Sequence, residues 1–389
     1  MTRNPLAQIN IRLPLAGINF FLADVAGGLG PYLAIYLITA QHWHTGNIGL
    51  VLTISGIITI ILQTPAGIIV DTVRFKRTLL ALSTLVVVLS TWAVSINASF
   101  ITVMISQIFV GAAAAFFGPV IAAITLGLVG SQYFSQQFGE NQGFNHAGNV
   151  FAAALTGLLA YFIALKMVFY VVILMGLCSF IFVGILNKKL IDHEQARSLV
   201  GDSTEQRPAG YRFLFENKAL MIFGCSVLLF HLANAAMLIL VGEEISVHTN
   251  KSSVLFVSGS IISAQFIMLF MALLVKLKAS KWGRKPIFLI AFLALPIRGI
   301  LFTLSSHVYY LLAVQLLDGV GAGIYGALFP VVVEDLTLGS GRYNMALGII
   351  ITMQGIGAAL SNLIAGYVVE WAGFNLYSPR LASVPYRKV

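Results

Sequence analysis

Stretches of twenty or more apolar residues recur along nearly the whole of this 389-residue chain, separated by short polar turns. A helix rises 1.5 Å per residue, so about 20 such residues cross a hydrocarbon layer about 30 Å thick. Hydrophobic residues make up 58% of the chain and charged ones 10%, against about 45–50% and about 25% in ordinary soluble domains. A soluble fold is excluded, and no stretch remains to form a soluble domain. The pattern predicts an all-α membrane protein with eleven spans, at 13–38, 46–70, 78–97, 100–130, 143–164, 167–187, 215–241, 252–276, 286–305, 308–333 and 343–371.

The net charge is +9, but the basic residues sit between apolar runs and not on a soluble face, which argues against nucleic acid. A cytoplasmic N-terminus places Arg3, Arg12, Arg74, Lys76, Arg77, Lys218, Lys276, Lys278, Lys281, Arg284, Lys285 and Arg342 inside. It leaves Lys166 and Lys251 opposite, so the positive-inside rule selects this orientation in a bacterial inner membrane. The longest polar interruption, Lys188 to Arg212, divides residues 1–187, a six-helix half, from 213–371, a half with five spans. Residues 188–212 read as a cytoplasmic linker. The stretch 372–389 is too polar and proline-rich for a twelfth span and would carry Arg380, Arg387 and Lys388 outside. The expected architecture is therefore two pseudo-symmetric six-helix halves with the last helix missing, as in a shortened or frame-shifted twelve-span ancestor. The opening apolar segment is too long for a signal peptide and reads as a retained first span. Cys178 and Cys225 have no nearby Cys or His at metal-ligand spacing and read as packing residues.

An internal repeat supports the two-half reading. Gln107, Gly111 and Gly118 recur as Gln315, Gly319 and Gly326, each 208 residues later. The same offset lays Phe75-Lys76-Arg77 on Gly283-Arg284-Lys285, and an offset of 210 lays Ala23-Asp24 on Ala233-Asn234. Duplicated halves with short basic inner loops suit alternating access, in which one half rocks against the other around a midplane site.

These residues resemble the major facilitator superfamily, whose loop signature between the second and third spans is roughly G-x-x-x-D-x-x-G-R-K. The first half offers Gly67, Asp71, Lys76 and Arg77, with Arg74 in place of the second glycine. The second half keeps Gly283, Arg284 and Lys285 and lacks the acid. The segments NFFLADVAGGLGPYL, FNHAGNVFAAALTG, FHLANAAML and MQGIGAALSN resemble a bacterial, efflux-like branch. The resemblance implies a gating role for Asp71 through basic residues and a helix end. Such an acid gains from charge and helix dipole, though an exposed pair contributes only up to about 1 kcal/mol. Gly67, Lys76, Arg77, Gly283, Arg284 and Lys285 belong to the same gating set. Topology alone would also place the four bases there.

Asp24 lies about eleven residues into the first span, near the midplane, where a carboxylate is costly unless it faces a wet cavity or a partner. Its candidate role is proton coupling or substrate contact; the bland alternative is a structural, hydrogen-bonded acid. Arg298 and Asp318 fall within about 5 Å of the same depth, by helical rise, and are expected to meet in a functional or purely structural pair. His231 and Asn234 of the seventh span complete this coupling or substrate set. Gln107 and Gln315 are cavity candidates, as are Asn145, His146 and Asn149, placed at the inner end of the fifth span with 145 and 149 on one face. The resemblance puts an arginine linked to proton movement where Gln107 stands, and Gln107 cannot ionise.

The leading expectation is a monomeric secondary transporter, proton-coupled, exporting a small amphipathic solute. The alternatives are an importer, for example of a siderophore or metabolite, and a non-transporting sensor or partner protein that keeps the fold. No G-x-x-x-x-G-K-[ST] loop and no haem or iron–sulfur ligand set is present, so primary pumping and redox work are not expected. No enzyme activity, cofactor, metal or nucleic-acid partner is expected; the partners are solute, protons and lipid.

Overall fold

The computed structural model describes residues 5–27, 29–199, 210, 212–248, 253–305 and 307–372. Among them the chain is helical, with no strand. Before the linker come α1 (Pro5–Gly27), α2 (Leu29–Thr39), α3 (Thr45–Thr72), α4 (Lys76–Ile96), α5 (Phe100–Val129), α6 (Ser131–Phe162) and α7 (Met167–Ile185). After it come α8 (Arg212–Glu216), α9 (Lys218–His248), α10 (Ser253–Trp282), α11 (Arg284–Phe302), α12 (Val308–Thr337) and α13 (Tyr343–Ala372). Expectations for the tail from 373 and for linker positions 200–209 and 211 lie outside the described residues.

Nine helices among the described residues are long and apolar enough to cross a membrane: α3, α4, α5, α7, α9, α10, α11, α12 and α13. α1 with α2 occupies the first expected span, and α6 the fifth. α6 starts at Ser131, well before the apolar run expected at 143. Its polar first turns are helical because one face is buried. Phe134 and Phe138 are 0% and 4% exposed, and the Asn141 amide donates to Thr125 Oγ1 at 2.8 Å. His146 therefore sits at the middle of α6 and not at its inner end.

The repeat governs the helix bounds. Phe100–Val129 and Val308–Thr337 are both 30 residues long, and both ends differ by 208. The starts of α3 and α10, Thr45 and Ser253, differ by the same amount, as do those of α4 and α11, Lys76 and Arg284. The repeated glycines Gly111 and Gly319 do the same work in each copy. A Cβ on Gly111 would run into the Ser55 carbonyl of α3, and one on Gly319 would run into the Ala264 carbonyl of α10.

Helices before and after the linker meet along two seams, α3 with α13 and α6 with α10. In the first, Gly67 lies so close to the Asn344 carbonyl that no side chain fits, and Thr64 and Thr352 share a hydrogen bond of 3.2 Å. In the second, His146 Nδ1 lies 2.6 Å from Gln265 Oε1. One apolar core crosses the division, joining Leu126, Phe134 and Phe138 to Val331, Tyr343 and Leu347. Trp92, Ile101, Phe162, Ile222 and Tyr309, each more than half exposed, turn outward, as side chains do where lipid is the solvent.

Candidate functional site

The face that carries the linker is closed around Asp71. Expected in a loop, it belongs to the last turn of α3 and is 0% exposed. Its Oδ1 accepts from the Asn344 backbone N–H at 3.2 Å and from the Asn344 side-chain amide at 2.8 Å, and Oδ2 accepts from the Met345 N–H at 2.9 Å. Asn344 and Met345 open α13, where N–H groups lack intrahelical acceptors and the dipole favours an anion. The acid of one half thus caps a helix of the other. This corrects the picture of a solvent-exposed pair: the carboxylate is buried and its partners are three N–H donors, not a cation in water.

The linker is tied into the same place. The Asn344 amide also donates to the Ala196 carbonyl at 2.9 Å, the Gly339 N–H donates to the Ser198 carbonyl at 2.8 Å, and Ser198 Oγ donates to Glu334 Oε1 at 3.4 Å. Lys76 Nζ donates to the Val73 carbonyl at 2.9 Å and to His193 Nδ1 at 3.1 Å. Partial burial, then the Lys76 charge, pushes His193 down to about 4, so the imidazole is neutral and accepts.

Among the described residues, Gly67 and Asp71 are the members of the expected gating set that meet the opposite half. Arg77 donates to the Leu186 carbonyl at 2.7 Å, within the first half. Arg284 pairs with Asp335 at 2.9 Å and donates to the Ala279 carbonyl at 3.0 Å, within the second. Gly283 precedes α11 with φ +84°, a conformation that a Cβ disfavours. Lys285 is exposed.

Deeper in the bundle, Arg298 and Asp318 meet as their depths predict, Nη1 on Oδ1. The Gln315 amide donates to Asp318 Oδ2 at 3.1 Å, and Arg298 Nη2 donates to the Asn234 backbone carbonyl at 3.5 Å. Asn234 therefore joins this cluster through its main chain. His231 does not join it. Its Nδ1 lies 3.0 Å from the Val227 carbonyl, and its ring stands 4.8 Å from that of Tyr325. In the other half Asp24 is 6% exposed, and its Oδ2 meets no hydrogen-bond donor among the described residues. The Asn149 amide donates to Asn145 Oδ1 at 3.2 Å, as their shared face requires. Gln107 is 5% exposed and lines a small pocket with Leu33, Ser90, Thr91 and Phe169. The Arg298–Asp318 group, which takes in the cavity candidate Gln315, is thus joined by no described hydrogen bond to the Asp71 group of the linker face.

Sequence reasoning passed over Asn344, the receiving end of Asp71, and Glu140, which takes Arg12 and Lys276 at 2.7 and 2.9 Å. Glu140 stands in the polar run between the fourth and fifth expected spans. An acid there, where the positive-inside pattern allows bases, was the available signal.

Comparison with known proteins fits this geometry. A profile of the Major Facilitator Superfamily matches residues 15–292 and 230–378. An uncharacterized MFS-type transporter of Mycobacterium tuberculosis, found in strains CDC 1551 / Oshkosh and H37Rv, is 46% identical over 360 residues, covering 92% of this chain and 86% of the relative. Among solved structures, the proton:xylose symporter XylE aligns with TM-score 0.68 at 15% identity, covering 95% of this chain and 91% of that one. The human organic anion transporter TETRAN aligns with TM-score 0.66 at 15% identity, covering 96% and 97%. The nucleoside transporter NupG aligns with TM-score 0.60 at 17% identity, covering 92% and 91%.

Proposed function

The chain belongs to the Major Facilitator Superfamily and is a multi-pass membrane transporter, and we propose that it exports a small amphipathic solute by proton-coupled alternating access. In this reading residues 1–187 and 213–371 are the rocking halves, the membrane is the bacterial inner membrane, and the N-terminus and linker face are cytoplasmic. The observation that carries it is the bond set from Asp71 to the first turn of α13, because it crosses the division between halves. Those donors return to water when the seam opens, so the contact exchanges one set of hydrogen bonds for another, and its net strength stays modest. A contact of that kind can form and break in each cycle.

Proton coupling is assigned to Asp24. A carboxyl that is 6% exposed, with one oxygen meeting no described donor, is costly to hold ionised inside a bilayer. Opening its surroundings to water removes that penalty, so access and protonation are linked. Arg298 and Asp318 neutralise each other and serve as the fixed polar wall of the second half. Export direction rests on the resemblance to efflux-like sequences.

The test begins with strains that lack or overproduce the protein, compared for amphipathic toxicant resistance and for metabolites left in the medium. A solute so identified is then added to proteoliposomes that hold a pH-sensitive dye. Solute addition should move protons, and Asp24→Asn should abolish that movement while the protein stays folded. Equal proton movement in the Asn variant removes Asp24 from the coupling role. Faster accumulation inside cells that carry the protein reverses the direction to import.

A further inference from the structure

The two seams are related by the 208-residue repeat, yet different chemistry closes them. α3 and α10 are equivalent helices; α3 packs on α13, and α10 packs on α6. The position equivalent to Asp71 is Ala279, which is 0% exposed and has no group with which to cap α6. Lys276 stands three residues earlier on α10, on nearly the same face. It reaches across the seam, Nζ to Glu140 Oε2 at 2.9 Å. The other oxygen of Glu140 accepts from Arg12 Nη2 at 2.7 Å and Nε at 3.1 Å. Lys276 and Glu140 side chains are 16% and 13% exposed. Beside them Gly139 lets the helices close, since a Cβ there would lie 2.9 Å from the Lys276 backbone nitrogen.

We propose that Arg12, Glu140 and Lys276 form the second latch of the linker face, with polarity reversed: the acid is on α6 and the base on α10, taking over where Ala279 has no acid to offer. The proposal rests on the alternating-access reading above. Arg12 and Glu140 belong to the same half, so that pair survives opening, and only Lys276 withdraws. Glu140 is thereby never left as a lone charge, the situation that makes a broken buried pair so costly. An ion pair between long side chains also tolerates sliding that a helix cap does not.

The test uses the full-length protein in nanodiscs with Cys178→Ser and Cys225→Ser, and spin labels on cysteines placed at the exposed positions Gln136 and Ser280. The label distance distribution reads the α6–α10 seam without any knowledge of the solute. Lys276→Met and Glu140→Gln should each raise the ratio of long to short distances by roughly fivefold or more, and the double variant should add little to either. Lys276→Met leaves Glu140 paired with Arg12 and so spares the fold. Asp71→Asn, which loosens the other seam, is the reference. If it lengthens the distances while the Lys276 and Glu140 variants do not, the second latch is wrong and the carrier reading stands. If all three leave the distribution unchanged, both are wrong.

Discussion

Asp71 and Asp24 are both buried carboxyls, and they differ in what their oxygens meet. Asp71 accepts three hydrogen bonds from the start of α13, whereas one oxygen of Asp24 meets no described donor. Removal therefore has opposite consequences. Asp71→Ala strands donors in a dry seam and should destabilise the closed protein by about 1–3 kcal/mol. Asp24→Asn replaces a buried carboxyl that has one unpartnered oxygen with a neutral amide and should leave thermal unfolding in detergent unchanged or shift it upward. The Arg298–Asp318 pair makes a third case. Arg298→Met leaves the part-buried Asp318 carboxylate with only the Gln315 amide and should cost about 3 kcal/mol, while Arg298→Met with Asp318→Leu should regain most of it. Additive losses in the double variant, read by the same melting experiment, would mean that the two side chains do not act as a pair.

At the scale of helices, the repeated glycines separate into those that let backbones touch and those that do not. Gly111 and Gly319 face neighbouring carbonyls at distances that admit no Cβ, whereas Gly326 has nothing within 4 Å. Gly319→Leu should force α12 from α10 at a cost of about 1–3 kcal/mol. Gly326→Ala, seven residues along the same helix, should be neutral or slightly stabilising, because alanine favours the helix over glycine. Comparing their melting curves checks this, and equal losses would show that the contact at Gly319 is not what holds the pair. The sequence alone cannot make the distinction. Both glycines belong to one repeated motif, and which of them faces a partner depends on how α10 and α12 cross.

For the molecule as a whole, the linker acts as a strap that reports on pH. Burial and Lys76 hold His193 at about 4, below its ordinary 6.5, so the folded state resists protonation more than the unfolded chain does. The contribution of the Lys76–His193 contact is complete above about pH 6.5 and is lost as pH falls from there toward 4. Melting temperature should decline over that window, and His193→Gln, which stays neutral, should flatten the decline attributable to this contact. An unchanged profile in the variant would assign the acid sensitivity elsewhere.

Apolar periodicity along the chain was enough to set the class of fold, most span positions and the doubling of the chain, because a bilayer imposes length and polarity on each helix separately. The equal offsets of Gln107, Gly111 and Gly118 from their partners already carried the symmetry that the helix bounds display. The pairing of Arg298 with Asp318 followed from depth alone. Contacts across the two halves were decided elsewhere. That Asp71 lies dry against Asn344 and Met345, that Asn234 offers its carbonyl and not its amide, and that Glu140 reaches both Arg12 and Lys276 all depend on rotations of helices about their own axes. Those rotations are fixed only when α3 settles on α13 and α6 on α10, with a common apolar core around Phe134 and Tyr343.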